Sequence, residues 1–261
     1  MTLALTNWLR YLIPGLLIAT RLSGVMLTGP FWGASAIPAR IKAGLVIAFT
    51  AVLLPVAGPA LPSNSLLDLF GYGLSELMIG VLLGLAVLIV MEAAQLAGNV
   101  AGFQLGLGLE TAFDPTTQAD TTVLATFHQL MVLYLMLQLG VHRWVLRALA
   151  ESFTTLPLGS NLSALTARQL LEFAGNLWVW GLQLVLPVLM VTMLIDVTEG
   201  FFAKAAPQLP VMFIGIPVKA LCGYAVLMAA VSFWPGIFSR HFQQAVNFFL
   251  QHAHAGAAVT G

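Results

Sequence analysis

Six long apolar stretches run along the chain, at roughly 11–39, 43–62, 69–91, 123–141, 173–195 and 209–235. Each is long enough to cross a hydrocarbon layer of ~30 Å as a helix, which takes about 20 residues. Lipid offers no hydrogen bonds to a bare backbone, so helices are expected, and the alternation of a membrane barrel is absent. Local punctuation agrees with this all-α reading. Asp114-Pro115 carries the signature of a helix start, an aspartate N-cap followed by proline at the first helical position. Thr166 and Gln169 form a capping box ahead of Leu170-Leu171, and Gly140 and Gly200 are expected to terminate the fourth and fifth stretches. The tail differs. Over 237–253, Phe238, Phe242, Ala245, Val246, Phe249 and Leu250 recur at helical spacing, opposite Arg240, Gln243, Gln244, Asn247 and Gln251. That pattern predicts an amphipathic helix lying on an interface or against a partner.

Composition sharpens the picture. Of 261 residues 59% are apolar and 8% charged, against about 25% charged in a soluble domain. The solvent for most of the chain is lipid or other apolar protein. Net charge is zero and there is no basic patch, which excludes nucleic acid as a partner class. The single cysteine, Cys222, excludes an internal disulfide and a cysteine-based metal site, and reads as a small core residue. Arg10, the apolar run Tyr11–Ala19 and Ala34-Ser35-Ala36 resemble a secretion signal. Arg21 interrupts the run and the small-residue site lies late, so the segment is read as retained and inserted.

Orientation is weakly encoded. With the N-terminus inside, Arg10, Arg143, Arg147, Arg168 and Arg240 fall in the cytoplasm, against Arg40, Lys42 and Lys204 outside. The stretches are also interrupted by Pro14, Pro30, Pro187, Pro210 and Pro217, and by Arg21, Glu76, Asp196 and Lys219. Simple lipid-facing spans avoid such residues, whereas helices packed mainly on other protein tolerate them.

No enzyme constellation is present: there is no metalloprotease helix motif, nucleophile elbow or phosphate loop. His128, inside an apolar run, reads as a structural histidine before a proton relay. Asp196 and Glu199 share a helix face one turn apart, with Lys204 close behind. They read as a local ion pair or as hydrogen bonds to a neighbouring subunit, and alternatively as the coupling site of a secondary transporter, for which internal repeats are missing. Glu76 and Lys219 are read the same way.

Small residues at four-residue spacing, Gly80/Gly84 and Gly98/Gly102/Gly106, let helix backbones approach closely. The second set runs into Gly108 and then Asp114-Pro115, so a close-packed helix is expected to give way to a flexible apolar link. Non-helical backbone at membrane depth is tolerated where protein buries it or a cavity exposes it. Residues 103–113 are therefore expected to line or block a passage, or to be clamped by partner subunits.

The chain resembles the FliR family of flagellar type III export-gate proteins and their injectisome counterparts. The resemblance runs over nearly the whole length. Its residues are Ile37-Pro38-Ala39-Arg40-Ile41-Lys42-Ala43-Gly44 with Pro55, Gly102-Phe103-Gln104-Leu105-Gly106 with Asp114-Pro115, and Leu156-Pro157-Leu158-Gly159. The most specific part is Ala206-Pro207-Gln208-Leu209-Pro210-Val211 followed by Gly215-Ile216-Pro217-Val218-Lys219. The resemblance implies one domain over 1–261, of long, broken helical hairpins like a fusion of the FliP and FliQ folds, not a simple six-span bundle. It implies a helical hetero-oligomer with FliP-like and FliQ-like subunits and an associated FlhB-like subunit, at the bacterial inner membrane and the flagellar basal body. Unfolded export substrates would pass through it, no cofactor is implied, and the segment of about 103–117 would project into the channel as a plug. The plug match holds at Gly102, Gln104, Gly106, Asp114 and Pro115; Phe103 and Phe113 fall in the same implied loop, and Gly108 and Glu110 do not carry over. In a constricted pore Glu110 either meets a neighbour's cation or faces water.

Overall fold

The computed structural model describes residues 2–30, 32–33, 37–57, 66–107, 122–159, 167–206, 208 and 211–260. Among them the chain forms nine α-helices and no strand: α1 Thr2–Thr28, α2 Ala39–Ala57, α3 Leu66–Gln104, α4 Val123–Gln138, α5 Val141–Thr155, α6 Ala167–Ala174, α7 Asn176–Ala205, α8 Val211–Val231 and α9 Trp234–Thr260. Four are long and apolar enough to cross a membrane, over Tyr11–Thr28, Leu67–Gln104, Gln169–Ala205 and Phe213–Val231. The pair α4 and α5 meets the same test only as one span broken near Gly140.

Several expected boundaries move. The first stretch ends at Thr28 instead of continuing to 39. The third does not stop near 91, because the small residues Ala93, Ala94, Ala97, Gly98, Ala101 and Gly102 keep one face packable down to Gln104. At 39 residues α3 is about twice as long as a hydrocarbon crossing requires. Gly140 does separate α4 from α5, in the left-handed region at φ +71° that favours glycine. Gly200, expected as a terminator, lies inside α7. One interior glycine costs a helix only about 1 kcal/mol, and α7 ends instead at Ala206, whose φ of −137° and ψ of 71° are not helical. Pro207 follows it in the sequence, and proline disfavours helical backbone at the residue before it. Pro14, Pro187 and Pro217 each lie inside a helix that continues past them. Thr166, the expected cap of α6, lies outside the described residues, as does the Asp114-Pro115 start.

The described residues gather into two compact units. The first comprises residues 1–89, 140–174 and 242–261. Here α1 lies directly on α3 through the glycine pairing read from the sequence. A side-chain carbon on Gly80 would fall on the Arg21 carbonyl, one on Gly84 on the Thr28 side chain, and one on Gly24 would stand 2.5 Å from the Leu77 carbonyl oxygen. That closeness buries Arg21 and Glu76 completely, alongside Leu17, Ile18, Leu22, Ile79 and Leu83.

Arg21 has no access to water, and each of its three nitrogens finds an acceptor within the unit. Nε donates to Glu76 Oε2 at 2.5 Å, Nη1 to Ser152 Oγ at 2.9 Å and Nη2 to the Leu156 carbonyl at 3.0 Å. The guanidinium also sits 4.2 Å from the centre of the Phe153 ring. The other oxygen of Glu76, Oε1, accepts from the Gly159 backbone N–H at 3.1 Å. Gly159 has φ +85°, so the Leu156–Gly159 turn is fixed from both members of the ion pair. The α9 segment of this unit buries Phe242, Ala245, Phe249 and Ala253, and Phe248 stacks on Phe173 at 4.0 Å. Gln243, Gln244, Asn247 and Gln251 are exposed, the division of faces that the sequence predicts.

The second unit comprises residues 90–139 and 175–241. Its core contains Ala94, Ala97, Ala101, Ala125, Val132, Met136, Leu184, Val188, Trp234 and Phe238. A side-chain carbon on Gly181 of α7 would reach 2.8 Å from Leu96 Cδ2 and 3.0 Å from the Ala93 carbonyl oxygen, so α7 also packs at glycine distance on α3.

Two outcomes are expected. Gly80→Ala forces α1 from α3 and lowers stability by roughly 1–3 kcal/mol, read as a lower melting midpoint of the detergent-solubilised protein. Arg21→Met, which strands Glu76, costs about 3–5 kcal/mol, whereas Arg21→Met combined with Glu76→Leu costs far less; a double-mutant cycle on the same midpoints reads the difference.

Candidate functional site

The segment singled out by its glycines begins where α3 ends, in the second unit. Gly106 has φ +84°. Its N–H donates to the Phe103 carbonyl at 3.2 Å, and the Leu107 N–H donates to the Gly102 carbonyl at 2.9 Å. This is a Schellman cap with Gly106 in the left-handed position after the helix. Gly106 is thus a fixed helix terminator, and any flexible link begins after it. Leu105, 4% exposed, packs against Gly223 of α8, where a side-chain carbon would collide with Leu105 Cδ2. Phe103, on the opposite side, is 64% exposed.

The chain re-enters the described residues at Thr122, beside the place it left. A side-chain carbon on Gly102 would stand 2.6 Å from Thr122 Oγ1 and 2.8 Å from its Cβ. Thr122 caps α4 by accepting from the Ala125 N–H at 3.1 Å, and its own hydroxyl donates toward the Gly98 carbonyl at 3.3 Å. The Thr122 N–H donates to Asn99 Oδ1 at 3.2 Å. Gly98 lies under Ala125, with the Leu124 carbonyl oxygen 2.8 Å from where its side-chain carbon would be. Gly98 and Gly102 therefore form the seat on which α4 starts. The chain's point of departure at Leu107 and its point of return at Thr122 are thus both held on the same stretch of α3.

A polar group braces the departure point. Lys219 Nζ of α8 donates to both carboxylate oxygens of Asp196 on α7, at 2.8 Å each, and to Gln104 Oε1 at 3.4 Å. Lys219 is 17% exposed and Asp196 46%, so water reaches the acid while the lysine is largely covered. Asp196 therefore pairs across the α7–α8 hairpin with Lys219, not with Lys204 on its own helix as expected. Helical spacing brings Asp196 and Glu199 to one face, but the loop after α7 brings α8 back against that face, and the cation it carries there is Lys219. Glu199 lies against Gly215 of α8, and Lys204 is exposed near the end of α7.

The remaining sequence-predicted residues are dispersed. Lys42 Nζ donates to the Gly33 carbonyl at 3.0 Å, and Arg40 is exposed at the start of α2. Gln208 is exposed in the turn between α7 and α8, and Pro217 lies inside α8. Gly108, Glu110, Phe113, Asp114, Pro115 and Pro207 lie outside the described residues. His128 Nδ1 lies 2.8 Å from the Leu124 carbonyl oxygen, and its ring packs 4.8 Å from Trp234, as a structural histidine would. Asn99 and Thr122 were not legible as site residues. The only signal for Thr122 is its distance after the glycine pair, which a sequence does not convert into contact.

A family model described as bacterial export proteins, family 1, matches residues 12–245. The flagellar biosynthetic protein FliR of Pectobacterium carotovorum is 32% identical over 212 residues, covering 79% of this chain and 80% of its own. That of Escherichia coli K12 is 29% identical over 229 residues, covering 85% and 86%. That of Aquifex aeolicus is 28% identical over 244 residues, covering 92% and 93%.

Replacing Gly106 with valine places a β-branched residue in left-handed backbone and undoes the cap. Amide hydrogen exchange at Leu105, Gly106 and Leu107 is expected to accelerate about tenfold for each 1.4 kcal/mol of cap stability lost. The same change at Gly44, which has open space around it, leaves these amides untouched.

Proposed function

The chain belongs to the bacterial export proteins, family 1, and from that premise we propose that it is a non-catalytic core subunit of a flagellar type III protein export gate. It forms part of the channel entrance together with FliP-like and FliQ-like subunits, and an FlhB-like subunit associates with the assembly. The site of action is the bacterial inner membrane at the flagellar basal body, and the cargo is unfolded protein in transit.

The observation that supports the plug assignment is that the chain leaves α3 at Gly106 and returns at Thr122 to the same stretch of that helix. A plug must move while its ends stay fixed, because free ends would open a leak around it. Both ends are held on α3, by the Schellman cap on one side and by the Thr122 contacts with Gly98, Asn99 and Gly102 on the other. The Asp196–Lys219–Gln104 group stiffens the outgoing end. Asp196 is accounted for by its pairing with Lys219, without recourse to a transported ion.

Removing residues 108–112 leaves the cap and the return anchor in place but shortens the connection between them. The assembled gate carrying this deletion is expected to leak ions in planar-bilayer or liposome-flux measurements at several times the intact level. Unchanged conductance would refute the plug assignment.

A further inference from the structure

On the reading that the chain is one subunit of an export assembly, we propose that the α7–α8 face around Glu199 is a seat for an apolar helix of another subunit carrying one lysine or arginine side chain. Glu199 is held against Gly215 of the facing helix. A side-chain carbon at residue 215 would land on the carboxylate, so the glycine makes the space the carboxylate occupies. Glu199 Oε1 is shut off from water and has no hydrogen-bond partner among the described residues. It stands in the wall of a largely apolar cavity of about 440 Å³, lined by Leu194, Ile195, Thr198, Phe202, Ile214 and Val218, where the Thr198 hydroxyl donates to the Leu194 carbonyl at 2.8 Å. A buried carboxylate oxygen without a donor is costly, and more so beside lipid.

The surrounding face is also sparsely covered by the rest of the protein. Two-thirds of the α3 span is buried within the protein, against 17% of the α8 span. Phe201, Phe202, Phe213, Ile214 and Leu221 are all more than half exposed. Acyl chains could cover the apolar side chains but have no donor for Glu199. A helix bearing a basic side chain supplies both the apolar surface and the missing cation, with the long methylene stem of that side chain filling the cavity. Charge complementarity thus selects a cationic helix over lipid tails and over an uncharged one. Asp196 does not compete for the incoming cation, because Lys219 already satisfies it.

The test uses the full chain, co-expressed in the membrane with the other export subunits, with a photoactivatable azidophenylalanine at Leu194 or Val218. The adduct is expected on an apolar segment of a different subunit, within about one helical turn, roughly four residues, of a lysine or arginine. Glu199→Leu is more lipophilic than the native residue. It is expected to reduce the adduct and the co-purified complex at least about tenfold, since it strands the partner's cation. Exchanging the two charges, Glu199→Lys with the mapped basic residue changed to glutamate, is expected to restore both. An adduct on phosphatidylethanolamine, on a second copy of this chain, or on a segment with no basic residue overturns the proposal. So does an undiminished complex with Glu199→Leu. If Glu199→Leu fails to accumulate, the mapped adduct of the otherwise native chain decides. Motility separates the two levels: failure of the broader reading leaves cells motile without the chain, whereas failure of the seat alone leaves motility dependent on the chain but indifferent to Glu199→Leu.

Discussion

An arginine removed from water must find its hydrogen-bond partners inside the protein, and the three nitrogens of Arg21 find theirs on three elements. Glu76 of α3, Ser152 of α5 and the carbonyl of Leu156 each take one guanidinium nitrogen, while Glu76 in turn holds the Gly159 N–H. Such a pair contributes little net stability compared with apolar residues of the same shape, since desolvation offsets much of the attraction. Its effect is on geometry. The partners lie far apart in sequence, so satisfying one guanidinium fixes α1, α3, α5 and the 156–159 turn together in the first unit. The arrangement works only because Gly24, Gly80 and Gly84 let α1 and α3 meet at backbone distance. A larger residue at Gly80 would displace the Arg21 backbone itself.

The same device serves a different end in the second unit. Gly98 and Gly102 bring the start of α4 onto α3, Gly181 brings α7 there, and Gly223 admits Leu105. Glycine stripes usually serve to bind helices to one another. Here the stripe also makes the two ends of a long connection neighbours, which converts an ordinary helix–helix link into an anchored loop. The Asp196–Lys219 pair lies at the outgoing anchor and adds the side-chain amide of Gln104 to it.

Much of the architecture was legible because it follows from local chemistry. The apolar runs announce α1, α3, α4, α7 and α8, since a membrane leaves the backbone few alternatives to helix. The tail's two faces were readable from period alone, and Phe238, Phe242, Ala245 and Phe249 are buried as their spacing predicts. The Gly80/Gly84 pairing was readable as a close approach, though not its partner. Boundaries fared worse. Gly200 has the chemistry of a terminator but lies within α7, where one interior glycine is tolerated, and Gly106 proves to be a cap where only flexibility was legible.

The sequence by itself determined the helical class, the membrane setting and the family. Each of these depends on residues close together in the chain or on a pattern shared along it. Only the tertiary structure decided which charges meet. Asp196 stands eight residues from Lys204 and 23 from Lys219, yet pairs with Lys219, because the hairpin returns α8 to its face. It likewise decided that Arg21 meets Glu76, that Thr122 returns to Gly102, and that Glu199 has an oxygen without a partner among the described residues. The physical reason is the same in every case: spacing sets the face of one helix, but only packing determines what stands opposite it.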